Sequence, residues 1–156
     1  MRNLFETFFS VTEALEESAV SYAIIGGFAM AFHDVVRATR DIDILILSPE
    51  LPDVEEILLK LGLRHSGRPF PIGKDPSFTF HRFVSFTGTD HVIVDVICSS
   101  DRRIEEIVRE SIVAKTDRGP VRIARENDLV WLKQLRLSPQ DQIDIDRLRE
   151  GKNEQD

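Results

Sequence analysis

At 156 residues, with 42% hydrophobic and 30% charged positions, the chain has the size and composition of one soluble globular domain with its own core. A formal net charge of -7 argues against the broad basic surface by which nonspecific nucleic-acid binders neutralise many phosphates. The apolar runs fall far short of the roughly 20 residues of a membrane helix, the N-terminus has no basic stretch leading into an apolar one, and the single cysteine excludes an intramolecular disulfide framework; a cytoplasmic protein without a membrane partner is expected.

In chain order, Leu4, Phe8, Val11, Thr12 and Leu15 recur at helical spacing and predict an amphipathic helix over 2–18. Tyr22 to Ile25 reads as a short strand, Gly26-Gly27 as a turn, and 28–33 as a helix opening just after it. A second strand is expected over 41–47, with Asp41 and Asp43 on one face and Ile42, Ile44 and Ile46 on the other. Leu51-Pro52-Asp53 opens a helix with Ile57, Leu58 and Leu61 as its stripe and Gly62 as its stop. Ser66 to Pro76, rich in proline and glycine, reads as a mobile surface loop whose Arg68 and Lys74 suit a polar or polyphosphate substrate.

Thr79 to Phe86 and His91 to Cys98 then form a hairpin about Thr87-Gly88-Thr89-Asp90. Ser100 or Asp101 caps a helix to about Ile112, and 113–116 with 121–124 make a second hairpin about Asp117-Arg118-Gly119-Pro120. Helices over 127–137 and 139–149 close the chain, with Ser138 as cap and Pro139 at the first helical position. The expected architecture is α/β (α+β): a mixed β-sheet flanked by helices, with C-terminal helices, in a single domain over 1–150 and a disordered tail over 151–156.

The chemistry lies in the carboxylates. Asp95 is the one charged residue of VIVDVIC, and a charge in a central strand is expected to be paired or bound to a cation. Asp41, Asp43 and Asp95 could converge from two strands as an all-oxygen site for two Mg²⁺ ions. Each residue also has a plainer reading. Gly26-Gly27 could be only a tight turn, Asp41 a strand-terminal residue paired with Arg37 or Arg40, Asp95 a residue of an exposed hairpin face, and Lys133 a helix-surface residue. His33, His65, His81 and His91 have no metal-ligand spacing, so zinc is not expected. Cys98, ending an apolar strand, reads as a buried inert thiol, and Trp131 as core.

A short strand, the Gly26-Gly27 turn, a helix, the Asp41-Ile42-Asp43 strand and a later strand bearing Asp95 together resemble the nucleotidyltransferase-fold superfamily, which includes the polymerase β-like enzymes. Arg37-Ala38-Thr39-Arg40-Asp41-Ile42-Asp43 is similar to small prokaryotic members, among them abortive-infection and toxin–antitoxin types, and Asp128, Lys133, Arg136, Asp141 and Asp144 resemble their C-terminal helices. The resemblance implies a nucleotidyltransferase-like sheet in which Asp41 and Asp43 hold both metals, Asp95 completes one metal site, and Gly26, Gly27, Arg40 and Lys133 serve the nucleotide. It further implies two Mg²⁺ as cofactors, a nucleoside triphosphate (NTP) as substrate, and transfer of its monophosphate to a hydroxyl of a small molecule, an RNA or a protein. Many members carry a serine just after the glycine turn, where this chain has Phe28 and Ala29. The alternatives are a binding or regulatory module without turnover, such as a toxin–antitoxin component with a partner protein, and a structural domain whose acidic cluster is incidental.

Overall fold

The structure, a computed structural model, describes residues 3–36, 38–72, 75–87, 90–136 and 139–154. Helix α1 (Leu4–Glu17) starts at Asn3, whose Oδ1 accepts a hydrogen bond from the Glu6 amide at 2.7 Å, and buries Thr7, Phe8, Val11, Thr12 and Leu15. Strand β1 (Tyr22–Ile25) runs into α2 (Gly26–Phe32), and β2 (Asp41–Leu47) is followed by α3 (Leu51–Lys60). Next come β3 (Arg64–His65), β4 (Phe70–Ile72), β5 (Asp75–Thr87), β6 (Asp90–Ser99) and α4 (Arg102–Arg109). The remaining elements are β7 (Ile112–Thr116), β8 (Gly119–Ile123), α5 (Glu126–Arg136) and α6 (Pro139–Glu154). None of the described helices is long and apolar enough to cross a membrane.

The strands form one mixed sheet in the order β3-β5-β6-β2-β1-β8-β7, with β4 also paired to β5. β1, with the sequence YAII, is buried throughout, as its near-continuous apolar run requires of a strand covered on both faces. It pairs antiparallel with β2 and parallel with β8, while β2 pairs parallel with β6. The two carboxylate-bearing strands therefore lie side by side, as the sequence predicts. Ile42, Ile44 and Ile46 oppose Val94, Val96 and Cys98 in register, and all six are buried. Helices α2 and α4 pack against β2. Burying this apolar face fixes the register, because a slip of one residue would turn Asp41 and Asp43 into the core.

The expected loop over 66–76 is corrected in part. Phe70 to Ile72 form β4, antiparallel to β5, and the Phe70 and Phe80 rings stack 4.7 Å apart. A β5 edge with Phe80 placed opposite Phe70 favours a short added strand over a free loop. The helix expected from Ser100 or Asp101 takes Asp101 as its cap, which accepts from the Arg103 amide at 2.8 Å, and ends at Arg109, so Ile112 belongs to β7. Helix α2 begins at Gly26 itself, and α6 continues past Arg149 to Glu154, into the segment expected to fray. Arg37, Lys74, the Gly88-Thr89 turn and the expected cap Ser138 lie outside the described residues.

Candidate active site

Strand register brings three charged residues into one row. Across β5, β6 and β2, Arg82 opposes Asp95 and Asp95 opposes Asp43, with Ile25 of β1 next in line. Residues directly opposite in a sheet share a face, so Arg82, Asp95 and Asp43 point the same way. Asp41 stands two residues earlier on that face, opposite Ile93. Asp95 is buried, with a side chain 3% exposed, whereas that of Asp41 is 34% exposed. The cluster is thus buried at Asp95 and reaches solvent at Asp41 and Arg82.

The glycine turn is fitted to this row. Gly26 has φ +71°, the left-handed region in which side chains are strained, and a Cβ there would collide with Oδ2 of Asp43. A Cβ on Gly27 would fall 2.5 Å from Oγ1 of Thr39. Both glycines therefore allow a close approach of backbone to the segment carrying the Asp pair, more than a simple turn demands. Phe28 is a core residue, stacked on Phe8 at 4.3 Å with the rings 3° from parallel, so it anchors α2 to α1.

Arg82 was not singled out by the sequence. Its Nε donates to Oδ1 of Asp95 at 2.8 Å and its Nη2 to Oδ2 at 3.0 Å, a bidentate pair, and Nη2 stands 3.9 Å from Oδ2 of Asp41. The Asp95 hydrogen bonds, with the nearby charges of Asp95, Asp41 and Asp43, push the guanidinium pKa further up, against the opposing effect of burial. The stem crosses Phe80, with the guanidinium carbon 5.5 Å from the ring centre. A signal was present: a hairpin closing at Thr87 and Asp90 must set Arg82 opposite Asp95.

The donor set suits a hard cation, since Asp41, Asp43 and Asp95 offer carboxylate oxygens from adjacent strands. Among the described residues, however, no three acidic, histidine or cysteine side chains converge closely enough to hold a metal ion. Both oxygens of Asp95 are instead engaged by the Arg82 fork. The residue types fit Mg²⁺, and the arrangement seen is one in which a guanidinium supplies positive charge to the row.

The other expected site residues lie elsewhere. Arg40 is exposed, one residue before β2. Lys133 is buried, its Nζ 2.9 Å from Oδ2 of the buried Asp144, so it ties α5 to α6. Asp128, also buried, accepts from Arg103 at 2.9 Å and Arg125 at 3.0 Å. Cys98 is buried, as expected, with Sγ 2.9 Å from the Thr79 hydroxyl. Trp131 packs partly buried against the core beneath Arg103.

No protein-family profile matches the chain, and no curated protein matches it in sequence. Solved structures do. ANT(2″)-Ia in complex with adenylyl-2″-tobramycin aligns with 91% of this chain and 84% of its own at a TM-score of 0.57 and 19% identity. The lincosamide antibiotic adenylyltransferase LnuA, bound to lincomycin, aligns with 95% of this chain and 98% of its own, at 0.60 and 15%. A Thermotoga maritima protein assigned as a nucleotidyltransferase aligns with 96% and 92%, at 0.61 and 13%. At such identities the likeness is one of fold: the chain has the nucleotidyltransferase fold.

Proposed function

We propose that the chain is a Mg²⁺-dependent nucleotidyltransferase that moves a nucleoside monophosphate from an NTP to a hydroxyl of an acceptor. The observation that carries this reading is the register match of Asp43 with Asp95, with Asp41 two residues along the same face and Gly26 closing over Asp43. Asp41, Asp43 and Asp95 would hold the cations, whose chemical contribution is to neutralise phosphate charge and acidify the acceptor hydroxyl. In the transfer, the acceptor oxygen forms a bond to the α-phosphorus, the bond from that phosphorus to the pyrophosphate oxygen breaks, and the hydroxyl proton passes to a base, for which Asp95 is the candidate.

Gly26 and Gly27, whose backbone lies close to Asp43 and Thr39, are the proposed backbone contacts of the triphosphate. Arg40, exposed beside Asp41, is the proposed nucleotide-side cation, and Lys133 would reach a phosphate only if its pair with Asp144 opened. The acceptors to try first are hydroxyl-bearing small molecules, because ANT(2″)-Ia is seen with an adenylylated tobramycin and LnuA with lincomycin.

The test is pyrophosphate release from each NTP in the presence of Mg²⁺ and a panel of aminoglycoside, lincosamide, RNA and protein acceptors. Loss of several kcal/mol of charge stabilisation should make Asp43→Asn about 10²- to 10³-fold slower than wild type while leaving its melting temperature unchanged or higher. Equal turnover by wild type, Asp43→Asn and Asp95→Asn would remove the carboxylates from the chemistry. A second reading, a nucleotide-binding or regulatory module such as a toxin–antitoxin component acting on a partner protein, is favoured by the Arg82 fork on Asp95. Saturable NTP binding without pyrophosphate release for any acceptor would favour that reading.

A further inference from the structure

Arg82 holds the carboxylate that the proposed chemistry needs. Its guanidinium engages both oxygens of Asp95, and the two residues are directly opposed in the β5–β6 ladder, so the fork lies along the sheet row that also contains Asp43. A bidentate guanidinium uses the same in-plane lone pairs that a divalent cation would take. The same Nη2 lies 3.9 Å from Asp41, which places the positive charge between the first and third carboxylates. The two partners differ in access: the Arg82 side chain is 40% exposed and that of Asp95 3%. The arginine can move into solvent along its flexible stem, whereas the aspartate is fixed within the strand.

We propose that Arg82 is the resident counter-ion of the Asp41–Asp43–Asp95 row and gates the binding of divalent cations, which reach Asp95 only when the guanidinium leaves it. The inference rests on reading the row as a cation site. It accounts for carboxylates that are aligned by register yet do not converge on a common point among the described residues. It also gives the released arginine a destination. A planar fork that fits a carboxylate fits a phosphate equally well, so a metal–triphosphate complex can exchange partners with the Arg82–Asp95 pair in one step, its cation going to Asp95 and its phosphate to Arg82. Free cation, which brings no phosphate, must displace the guanidinium without that exchange. Cation and nucleotide should therefore bind cooperatively, and Arg82 should be the source of the coupling.

The test is Mn²⁺ binding to the full chain, followed by calorimetry and by electron paramagnetic resonance of the free ion, with and without a nonhydrolysable NTP. Four forms are compared: wild type, Arg82→Met, Arg82→Lys and Asp43→Asn. Without nucleotide, Arg82→Met should bind Mn²⁺ about 10-fold or more tightly than wild type, on the scale of effects seen when a metal ligand's hydrogen-bond partner is changed. The nonhydrolysable NTP should tighten Mn²⁺ binding to wild type and do so much less in Arg82→Met. Arg82→Met should melt below wild type without metal and recover with Mn²⁺, since the cation replaces the lost partner of a buried carboxylate.

Arg82→Lys, which keeps the charge but not the fork, should fall between the two, and it carries the comparison if Arg82→Met does not fold. The gate is overturned if both Arg82 variants bind Mn²⁺ no better than wild type while wild-type binding still depends on Asp43. That result would leave the cation site standing and make Arg82 a residue that positions Asp95. Failure of every form to bind Mn²⁺ would overturn the gate together with the metal-site reading.

Discussion

Two ion pairs of nearly equal length have different surroundings. Lys133 and Asp144 meet at 2.9 Å between α5 and α6 with side chains 7% and 0% exposed, whereas Arg82 and Asp95 meet at 2.8 Å across two strands of the sheet, where the cation is 40% exposed. The neighbourhoods differ as well. Asp128, close in sequence to Lys133, collects two arginines around one carboxylate, while the row across β5, β6 and β2 collects carboxylates around an arginine. A closed pair on a helix interface cross-links the two helices. An accessible cation amid aligned carboxylates can be exchanged for another cation, and it is this difference, more than bond length, that separates scaffold from candidate chemistry.

The largest effect should come from breaking the closed pair. Lys133→Met leaves Asp144 charged and buried and should cost about 3–5 kcal/mol in denaturant unfolding, while Lys133→Met combined with Asp144→Leu should recover most of the loss. The double variant also sharpens the comparison. If it is stable and binds NTP as wild type does, Lys133 is scaffold; if it is stable and no longer binds NTP, Lys133 serves the nucleotide. Gly26→Ala disturbs the open row from the β1 side. Left-handed backbone and a Cβ against Asp43 together should cost about 2–4 kcal/mol, and Asp43-dependent Mn²⁺ binding should fall while the Lys133–Asp144 contribution is unchanged in a double-mutant cycle.

The smallest effect concerns the other face of β5. His81 is buried next to Thr79 and Cys98, its Nδ1 has no partner among the described residues, and burial lowers its pKa from the ordinary 6.5. Since the unfolded chain then binds a proton more readily than the folded one, stability should be constant above about pH 7, fall as pH drops through the unfolded value near 6.5, and level off below the folded value. His81→Leu should flatten that part of the curve by about 1 kcal/mol or less. A slope unchanged in His81→Leu would assign the pH dependence to other groups.

Much of the fold was readable because its signals are local. The stripe of α1, the β1 run, the alternation of β2 and the Asp101 cap are set by spacing within one element, and each appears within a few residues of its expected bounds. The pairing of β2 with β6 was expected and is seen. The errors lie where an element depends on a distant partner. β4 exists because the β5 edge is there to receive it, and a three-residue stretch holding Pro71 gives no strand signal of its own. Phe28, read first as a departure from a family pattern, has its explanation in the Phe8 ring of another helix.

By itself the sequence determined which residue types could do chemistry and on which face of their own strands they stand: two carboxylates alternating with isoleucines, a third inside an apolar run, and a pair of glycines at a strand-to-helix turn. Periodicity suffices for that, because the side-chain direction along a strand follows from the pleat. Only the tertiary structure decided what each charge meets. Arg82 joined Asp95 through hairpin register, Lys133 was buried against Asp144 through the packing of two helices, and Asp128 acquired a guanidinium from 25 residues away. Electrostatic energy depends on distance and on exclusion of water, and neither quantity exists for a pair of residues until the chain has folded around them.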